Sequence, residues 1–305
     1  MKKSIILLLI CFSFQIGTSQ KIYFEKSNYK DSLTLSKSMP LLAKKVLPLY
    51  KNPSRASYLD NYARMQSVAG DFKGMHETFV TYSQEILGDS IANRPLGFVY
   101  KTYGKTALKD PKTKSDFEKV FTAEFYKLYN TFNTDGKSWA EGYYELKLAD
   151  IKNDFETQLK AVQDNDSISV EHAAQLCRQY SRYFILSKTL PLAHKIIAKI
   201  EADTYIIDRD IIITLPNGST ISATMVRLKN VSEPQPVVMK YNIYAGNEVS
   251  DCKEIANMGY VGFVANTRGK RLSNDPIEPY EHDGDDAYHI LDWLSKQAWW
   301  NGKIG

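Results

Sequence analysis

The spacing of apolar residues changes once along the chain, near residue 203. From about residue 31 to 203, apolar side chains recur every three or four positions, which is the spacing of amphipathic α-helices. After residue 204 they form short runs rich in Ile, Val and Thr that are broken by turn residues, which is typical of β-strands. The sequence therefore predicts a helical domain at residues 20–203 and a second, strand-containing domain at residues 204–305.

Several helices of the first domain can be placed individually. The stretch "YLDNYARMQSVAGDFKGMHETFVTYSQEIL" predicts a helix, a tight "AGDF" turn and a second helix, and it resembles a tetratricopeptide-type hairpin, although no second copy follows at a fixed period. The stretch "KSDFEKVFTAEFYKLYN" predicts a helix with one apolar face, made by Phe117, Val120, Phe121, Phe125, Leu128 and Tyr129. The stretch "SVEHAAQLCRQYSRYF" predicts another, with Val170, Ala173, Ala174, Cys177, Tyr180 and Phe184 on one stripe.

The second domain alternates strands and helices. A strand–turn–strand pattern centres on Pro216-Asn217-Gly218, and further strands are predicted at "PVVMKYNIYAG" and "VGFVANTRG". Helices are predicted at "DCKEIANMGY" and "DDAYHILDWLSKQA". This rhythm is typical of an α/β domain with a largely parallel sheet. Such a sheet needs several strands, and the last residues, "AWWNGKIG", read as the start of one more buried strand. We therefore expect the sheet to be incomplete within this chain.

The first nineteen residues have the features of a signal peptide. Lys2 and Lys3 precede the apolar stretch "SIILLLICFSF", and the small residues Gly17, Thr18 and Ser19 come directly before Gln20. The apolar stretch is too short to span a bilayer as a helix, so we expect no stable membrane anchor. The sequence predicts an exported protein of the bacterial periplasm or one that is secreted.

Charge and cysteine content exclude some classes of function. The formal net charge of +4 is spread along the chain without a Lys/Arg block, which argues against a nucleic-acid partner. Cys177 and Cys252 are the cysteines that remain after removal of the signal peptide. Two cysteines allow one disulfide or two buried free thiols, and they do not make a metal cluster.

Four stretches follow one another in residues 205–305: "IIITLPNGSTISATMVRLKN", "PVVMKYNIYAG", "MGYVGFVANTRGKRLS" and "EPYEHDGDDAYHILDWLSKQAWWNGKIG". In this order they resemble the opening of the X-prolyl dipeptidyl-peptidase and cocaine-esterase (CocE/NonD) family of serine α/β-hydrolases. They match the family's first hairpin, its "PVLLxxNPY" strand, its "xGYxxVxxDxRGxxxS" segment and its "DGxDxxxWxxxQPWxNGxVG" segment. The implied fold class is α plus α/β: a helical N-terminal domain followed by the first part of an incomplete α/β-hydrolase sheet.

The resemblance also implies a chemistry. In the family, the "NGKVG" segment leads into a "G-x-S-x-x-G" nucleophile elbow, and the acid and base of the Ser–Asp–His triad follow later. The whole triad is therefore expected beyond Gly305, and no Ser of this chain lies in a "G-x-S-x-G" context. The full-length protein would hydrolyse a small ester or an X-Pro peptide by acyl transfer, without a metal or an organic cofactor. The alternative is a non-catalytic helical interaction module whose protein partner is unknown.

Tyr244 is the candidate catalytic residue within the chain. By position, Asn242-Ile243-Tyr244 corresponds to the family's "NPY" segment, whose Tyr donates its hydroxyl to the oxyanion. On this reading we expect a buried phenol aimed at the developing negative charge. The alternative is a packing tyrosine, and Tyr241, three residues earlier, competes for the same role.

Charged residues of the second domain admit both functional and structural readings. Arg268, in "NTRG", is expected either to bind a substrate carboxylate or to form a structural ion pair with Asp283 or Asp286. The residue two positions before it is Asn266, where the family has Asp. An acidic cluster that includes these two aspartates precedes the last helix, and it reads either as a hard-metal site or, as we favour, as a complement to the helix dipole. Its members are Glu278, Glu281, Asp283, Asp285 and Asp286.

The histidines do not form a catalytic pattern. His282 and His289 both precede the expected nucleophile, which is the wrong chain order for the base of this fold. His76, His172 and His194 lie in predicted helices without ligand-like spacing, so we expect them at the surface or at its boundary.

Overall fold

The structure is a computed structural model that describes residues 20–244 and 246–305. The predicted signal peptide, residues 1–19, lies outside the described residues. The chain divides into two compact units between Ala193 and His194. We call the described residues up to Ala193 the helical unit and His194–Gly305 the sheet unit.

The helical unit is built from α-helices. None of the described helices combines the length and the apolar character that crossing a membrane requires. The helices are α1 (Ser32–Val46), α2 (Arg55–Ala69), α3 (Phe72–Leu87), α4 (Phe98–Leu108), α5 (Lys114–Tyr129), α6 (Thr134–Gly142), α7 (Leu148–Val162) and α8 (Val170–Thr204), the last of which continues into the sheet unit.

The predicted helix–turn–helix around "AGDF" is confirmed. Gly70 ends α2 in the left-handed conformation, with φ of 82°, which glycine adopts without steric cost. Asp71 then caps α3, because its Oδ1 accepts a hydrogen bond from the amide of Gly74 at 2.9 Å. The turn therefore follows directly from these two residue types.

The apolar faces predicted for α5 and α8 are also confirmed. Phe121 and Phe125 of α5 are fully buried, and the ring of Phe125 packs edge-to-face on Phe98, with centroids 5.1 Å apart. On α8, Ala173 and Cys177 are fully buried in a core that α1, α2 and α7 also line. Burial of these stripes holds the helices together, since isolated helices of this length are marginal in water.

A short two-stranded sheet corrects the helical prediction for residues 31–203. Strand β1 (Lys21–Tyr23) pairs antiparallel with β2 (Ser167–Ser169), and Ile22 lies opposite Ile168. Both isoleucines are buried. Strands of three residues are too short to show an alternating pattern, so sequence periodicity could not reveal them.

The sheet unit contains one mixed five-stranded sheet. The elements of this unit are β3 (Tyr205–Thr214), β4 (Thr220–Leu228), β5 (Gln235–Asn242), α9 (Glu248–Asn257), β6 (Val261–Asn266), α10 (Asp283–Leu294) and β7 (Trp300–Ile304). Strand order is β3-β4-β6-β5-β7, in which β3 pairs antiparallel with β4, β4 antiparallel with β6, and β5 parallel with both β6 and β7. The expected largely parallel sheet is therefore mixed, because the hairpin of β3 and β4 joins it antiparallel.

Apolar side chains cover both faces of β6. On one face, Phe263 packs in a cluster with Ile290 and Leu294 of α10, and on the other, Val264 packs with Cys252 of α9. All six residues of β6 are buried, which explains why this strand reads as a continuous apolar run.

Gly262 allows α9 to approach β6 closely. A Cβ atom at this position would lie 2.3 Å from the carbonyl oxygen of Cys252 and 2.6 Å from its Cα, both backbone atoms of α9. Real Cβ atoms do not come this close to backbone, so any larger residue would push the helix away from the sheet.

Replacing this glycine should destabilise the protein. We expect Gly262→Ala to lower the free energy of unfolding by about 1–3 kcal/mol, the usual cost of overpacking a core. The measurement is urea denaturation followed by circular dichroism. Gly284→Ala is the matched control, because Gly284 lies in the first turn of α10 with open space around its Cβ, so this change should be neutral or stabilising. Equal stability of the Gly262→Ala variant and the wild type would contradict the close approach.

Candidate functional site

The carboxyl ends of β5 and β6 meet at one edge of the sheet. The two strands are parallel, and their last residues, Asn242 and Asn266, are register partners. The amide of Thr267 donates to the carbonyl of Asn242 at 3.3 Å, which extends the pairing into the loops. Open α/β sheets place ligand sites at this edge, so the segments that follow Asn242 and Asn266 form the candidate site.

Tyr244 lies at this edge and is exposed. The backbone turns directly after β5, because Oδ1 of Asn242 accepts a hydrogen bond from the amide of Tyr244 at 2.7 Å. The side chain is 80% exposed, so the expectation of a buried phenol is wrong. Its hydrogen bond to Tyr280 is the main cause that raises the pKa of Tyr280. The phenol of Tyr244 is thus accessible from solvent.

Tyr241 has a different environment from Tyr244. Its ring packs against the core between the sheet and α10, and its hydroxyl donates to Oδ1 of Asp283 at 3.4 Å. Burial raises the pKa of Tyr241 well above its usual value, and the carboxylates of Asp286 and Asp283 raise it further. Tyr241 is therefore a half-buried packing tyrosine that is bonded to α10, whereas Tyr244 projects from the sheet edge.

Arg268 forms the structural ion pair that was one of its two predicted roles. Its Nε donates to Oδ2 of Asp286 at 2.8 Å and its Nη2 to Oδ1 at 2.5 Å, while Nη1 donates to Oγ of Ser219 at 3.2 Å. Only 13% of the Arg268 side chain and 1% of the Asp286 side chain are exposed. The hydrogen bonds to Asp286 raise the pKa of Arg268, so the guanidinium stays charged. Asp286, rather than Asp283, is the partner.

The loop after β6 is held by a second carboxylate that sequence reasoning missed. Asp275 Oδ2 accepts from the amide of Thr220 at 2.8 Å, from its hydroxyl at 2.9 Å and from Oγ of Ser273 at 3.1 Å. The same Ser273 hydroxyl accepts from the amide of Gly269 at 2.9 Å. Ser273 is the serine of the "RGxxxS" motif, so the motif pointed to this position without revealing its structural role.

Several buried polar atoms at this edge have no partner among the described residues. They are Nδ2 and Oδ1 of Asn266, Oγ1 of Thr267 and Oγ of Ser222. Buried polar groups without hydrogen bonds are uncommon in proteins, and these four atoms lie at the end of β6, on the residue that follows it and on neighbouring β4. Sequence reasoning had singled out Asn266 only as a departure from the family's Asp.

The acidic cluster supports the first turn of a helix. Asp283, Asp285 and Asp286 lie in the first turn of α10, where negative charge favours the helix dipole. Glu278 pairs with His282 at 2.9 Å. Over residues 20–244 and 246–305, no three His, Cys, Asp or Glu side chains are arranged to hold a metal ion.

We assign no role at this edge of the sheet to the remaining histidines or to the two cysteines. His172 and His194 are exposed and His76 is half-buried, as predicted for surface or boundary positions. Cys177 and Cys252 are both buried free thiols. Burial raises the pKa of Cys177 strongly and that of Cys252 to about 12, so neither thiol is an activated nucleophile.

Neutralising Asp286 should destabilise the sheet unit. In Asp286→Asn the buried charge of Arg268 loses its counter-ion, so we expect the free energy of unfolding to fall by about 3 kcal/mol. Denaturation in guanidinium chloride measures it. Asp292→Asn is the control, because Asp292 of the same helix forms an exposed pair with Lys296, just beyond the helix end, and the loss of this pair should change stability by less than about 0.5 kcal/mol. Equal effects of the two substitutions would refute a structural role for the Arg268 pair.

Asp275 should give the protein a stability that depends on acid pH. Hydrogen bonds from Thr220 lower the pKa of Asp275 from 3.8 to about 2. A folded-state pKa below the unfolded value means that the stabilisation is complete above about pH 4 and is lost as the pH falls toward 2. We expect the difference in unfolding free energy between wild type and Asp275→Asn to shrink over that interval, as measured by urea denaturation at several pH values. A difference that is constant from pH 7 to pH 2 would contradict this assignment.

Comparison with known proteins identifies relatives of the sheet unit. Residues 217–305 match the family model of the X-Pro dipeptidyl-peptidases (S15 family). The cocaine esterase of Rhodococcus sp. (strain MB1 Bresler) is 24% identical over 108 residues, which make up 33% of this chain and 19% of that enzyme. The chain therefore spans about a fifth of the length of this curated relative.

Solved structures of hydrolases are also similar over the same share of the chain. A CocE/NonD family hydrolase from Staphylococcus aureus is 22% identical, with 33% of this chain and 22% of that chain covered and a TM-score of 0.30. An alpha-amino acid ester hydrolase is 22% identical, with 34% of this chain and 21% of that chain covered and a TM-score of 0.28. The ordered motifs of the sheet unit predicted this family, and the family match falls on the same segment. The C-terminal segment of the chain, residues 217–305, is thus similar to the X-Pro dipeptidyl-peptidase (S15) family.

Proposed function

We propose that this chain is the N-terminal part of an exported serine hydrolase that cleaves ester or X-Pro peptide bonds by acyl transfer. The observation that carries the proposal is the family match of residues 217–305, whose ordered motifs lie on β4 to β7 and their loops. The matched part makes up 19% of the curated relative, so the activity of a complete enzyme is part of the proposal.

In the proposed reaction, a Ser beyond Gly305 attacks the substrate carbonyl, and a His of the same region takes the serine proton and passes it to the leaving group. Tyr244 donates its hydroxyl to the oxyanion that forms. Its position at the carboxyl edge of the sheet and its exposed phenol support this role, because a donor must reach a carbonyl that enters from solvent. The reaction needs no metal or organic cofactor.

The proposed role of the neighbouring groups is positioning. The Arg268–Asp286 pair and the Asp275 hydrogen bonds fix the loop that follows β6, next to the segment that carries Tyr244. Since both loops leave the same edge of the sheet, a rigid loop after β6 limits where the phenol and its neighbour Tyr280 can lie. The helical unit would restrict or dock the substrate.

Removing the Tyr244 hydroxyl should slow catalysis in the complete protein. We expect Tyr244→Phe to lower kcat on a p-nitrophenyl ester or an X-Pro p-nitroanilide by about 10²-fold, the lower end of the effect of losing one oxyanion donor. KM should change little, because the interaction forms mainly in the transition state. Since Tyr244 is exposed, the substitution should leave the melting temperature unchanged.

Two controls make this test specific. Tyr288→Phe removes another exposed hydroxyl of the sheet unit and should leave kcat unchanged. Reading the coding sequence past Gly305 should reveal "G-x-S-x-x-G" within roughly ten residues, as a nucleophile elbow requires. Residues 20–305 alone should show no turnover that depends on their own serines. A stop codon directly after Gly305 would reject the proposed serine hydrolase. A kcat of the Tyr244→Phe variant within twofold of wild type would reject the proposed role of Tyr244.

A further inference from the structure

The helical unit contains an aromatic cavity of about 370 Å³. Its apolar walls come from α3, α4, α8 and the segment after α6, and include Tyr82, Phe98, Tyr100, Tyr143 and Leu186. Its polar wall consists of Asp60 and Arg64 of α2 and Arg182 of α8. Volumes of this size are typical of sites for small organic ligands.

A smaller cavity of about 210 Å³ shares two of these arginines. Arg64, Arg178, Gln179 and Arg182 line it. Arg178 and Arg182 are one helical turn apart on α8, so both project from the same side of that helix. Arg64 of α2 donates a hydrogen bond to the hydroxyl of Tyr100. Burial raises the pKa of Tyr100, and the positive charges of Arg64, Arg182 and Arg178 act to lower that pKa. Three guanidinium groups therefore lie around one phenol.

The three arginines differ in how their charge is balanced. Arg64 is held by both carboxylate oxygens of Asp60, at 2.8 and 3.0 Å, and Arg182 by Asp154 at 3.0 Å. Arg178 donates only to the neutral amide oxygen of Gln175, at 2.8 Å, and has no carboxylate partner among the described residues.

Two atoms next to this unbalanced charge are buried and unpaired. They are Nε of Arg178 and Oε1 of Gln179, and neither has a hydrogen-bond partner in the part of the chain that the structure describes. A water molecule would satisfy a donor but would not balance the charge, and an unbalanced charge in a partly buried position is costly. The unpaired donor and the unbalanced charge of Arg178 give the smaller cavity the properties of an anion site, whereas Oε1 of Gln179 is an acceptor and needs a donor, such as a water molecule or an N–H group of the ligand.

We propose that the helical unit binds a singly charged organic carboxylate with an aromatic or branched aliphatic body. The carboxylate would bind Arg178 in the smaller cavity, with Arg182 beside it, and the apolar body would lie against the tyrosines of the aromatic cavity. The planar guanidinium of arginine matches a carboxylate with two parallel hydrogen bonds. Every residue of this site belongs to the helical unit, so the proposal does not rest on the triad or the oxyanion donor proposed above.

The charge balance favours a carboxylate over a phosphate. Asp60 and Asp154 already balance Arg64 and Arg182, so the smaller cavity has one positive charge left for a ligand. A carboxylate supplies one negative charge, whereas a phosphate monoester carries nearly two at neutral pH. The second charge of a phosphate would have no positive charge left to balance it.

The test is calorimetric titration of the purified chain with matched probes. We expect N-acetyl-phenylalanine to bind at least tenfold more tightly than N-acetyl-phenylalaninamide, which has the same body without the charge. Acetate, which has the charge without the body, and phenyl phosphate should both bind more weakly than N-acetyl-phenylalanine. Equal binding of the acid and the amide, tighter binding of phenyl phosphate, or no heat of binding with the acid at 10 mM would overturn the proposal.

Variants locate the site. Arg178→Gln should weaken N-acetyl-phenylalanine at least tenfold, and Arg178→Lys, which keeps the charge but loses the planar fork, should give a smaller loss. Arg55→Gln is the control, because Arg55 is an exposed arginine paired with Glu85 and should leave affinity unchanged. If Arg178→Gln does not fold, as judged by circular dichroism, the affinity of the Arg178→Lys variant for N-acetyl-phenylalanine is compared with that of the Arg55→Gln control instead. Unchanged affinity in the folded Arg178 variants would place the carboxylate elsewhere and refute the site.

Discussion

A buried, two-pronged ion pair between Arg268 and Asp286 organises the sheet unit. It joins the loop after β6 to the first turn of α10, and the third hydrogen bond of the guanidinium reaches Ser219 in the turn between β3 and β4. Three segments that are distant in sequence therefore depend on one side chain. Taking two charges out of water is expensive, and it is tolerated because both carboxylate oxygens and all three guanidinium nitrogens have partners.

This arrangement explains why the carboxyl edge of the sheet is a defined surface. Asp275 and Ser273 hold the loop after β6 by hydrogen bonds to the start of β4, and parallel pairing keeps the loop after β5 beside it. The hydroxyl of Tyr244 projects from a backbone turn that the side chain of Asn242 fixes. The exposed group therefore rests on a rigid base, which is what a positioned hydrogen-bond donor requires.

Local patterns in the sequence predicted the local structure well. The helical faces of α5 and α8, the turn at Gly70 and Asp71 and the hairpin at Pro216-Asn217-Gly218 all follow from spacing and from residue type. Strand order did not follow, because pairing between distant strands leaves no local trace in one sequence. Side-chain partners were limited in the same way. The sequence predicted Asp283 or Asp286 as the partner of Arg268, and only the structure showed that Arg268 pairs with the buried Asp286. Neither the exposure of Tyr244 nor the convergence of arginines from α2 and α8 could be read from spacing.

The burial of the two free thiols, Cys177 and Cys252, affects how they react with oxidants. Each is enclosed in the apolar interior of its own unit, Cys177 on the buried face of α8 and Cys252 between α9 and the sheet. Only the thiolate reacts with disulfides and peroxides, and burial suppresses that form in both residues. Once folded, Cys177 and Cys252 should therefore react slowly with oxidants in their surroundings. The vulnerable interval is the time before these interiors close, so the rate of folding rather than the final structure sets how much protein is lost to wrong cross-links.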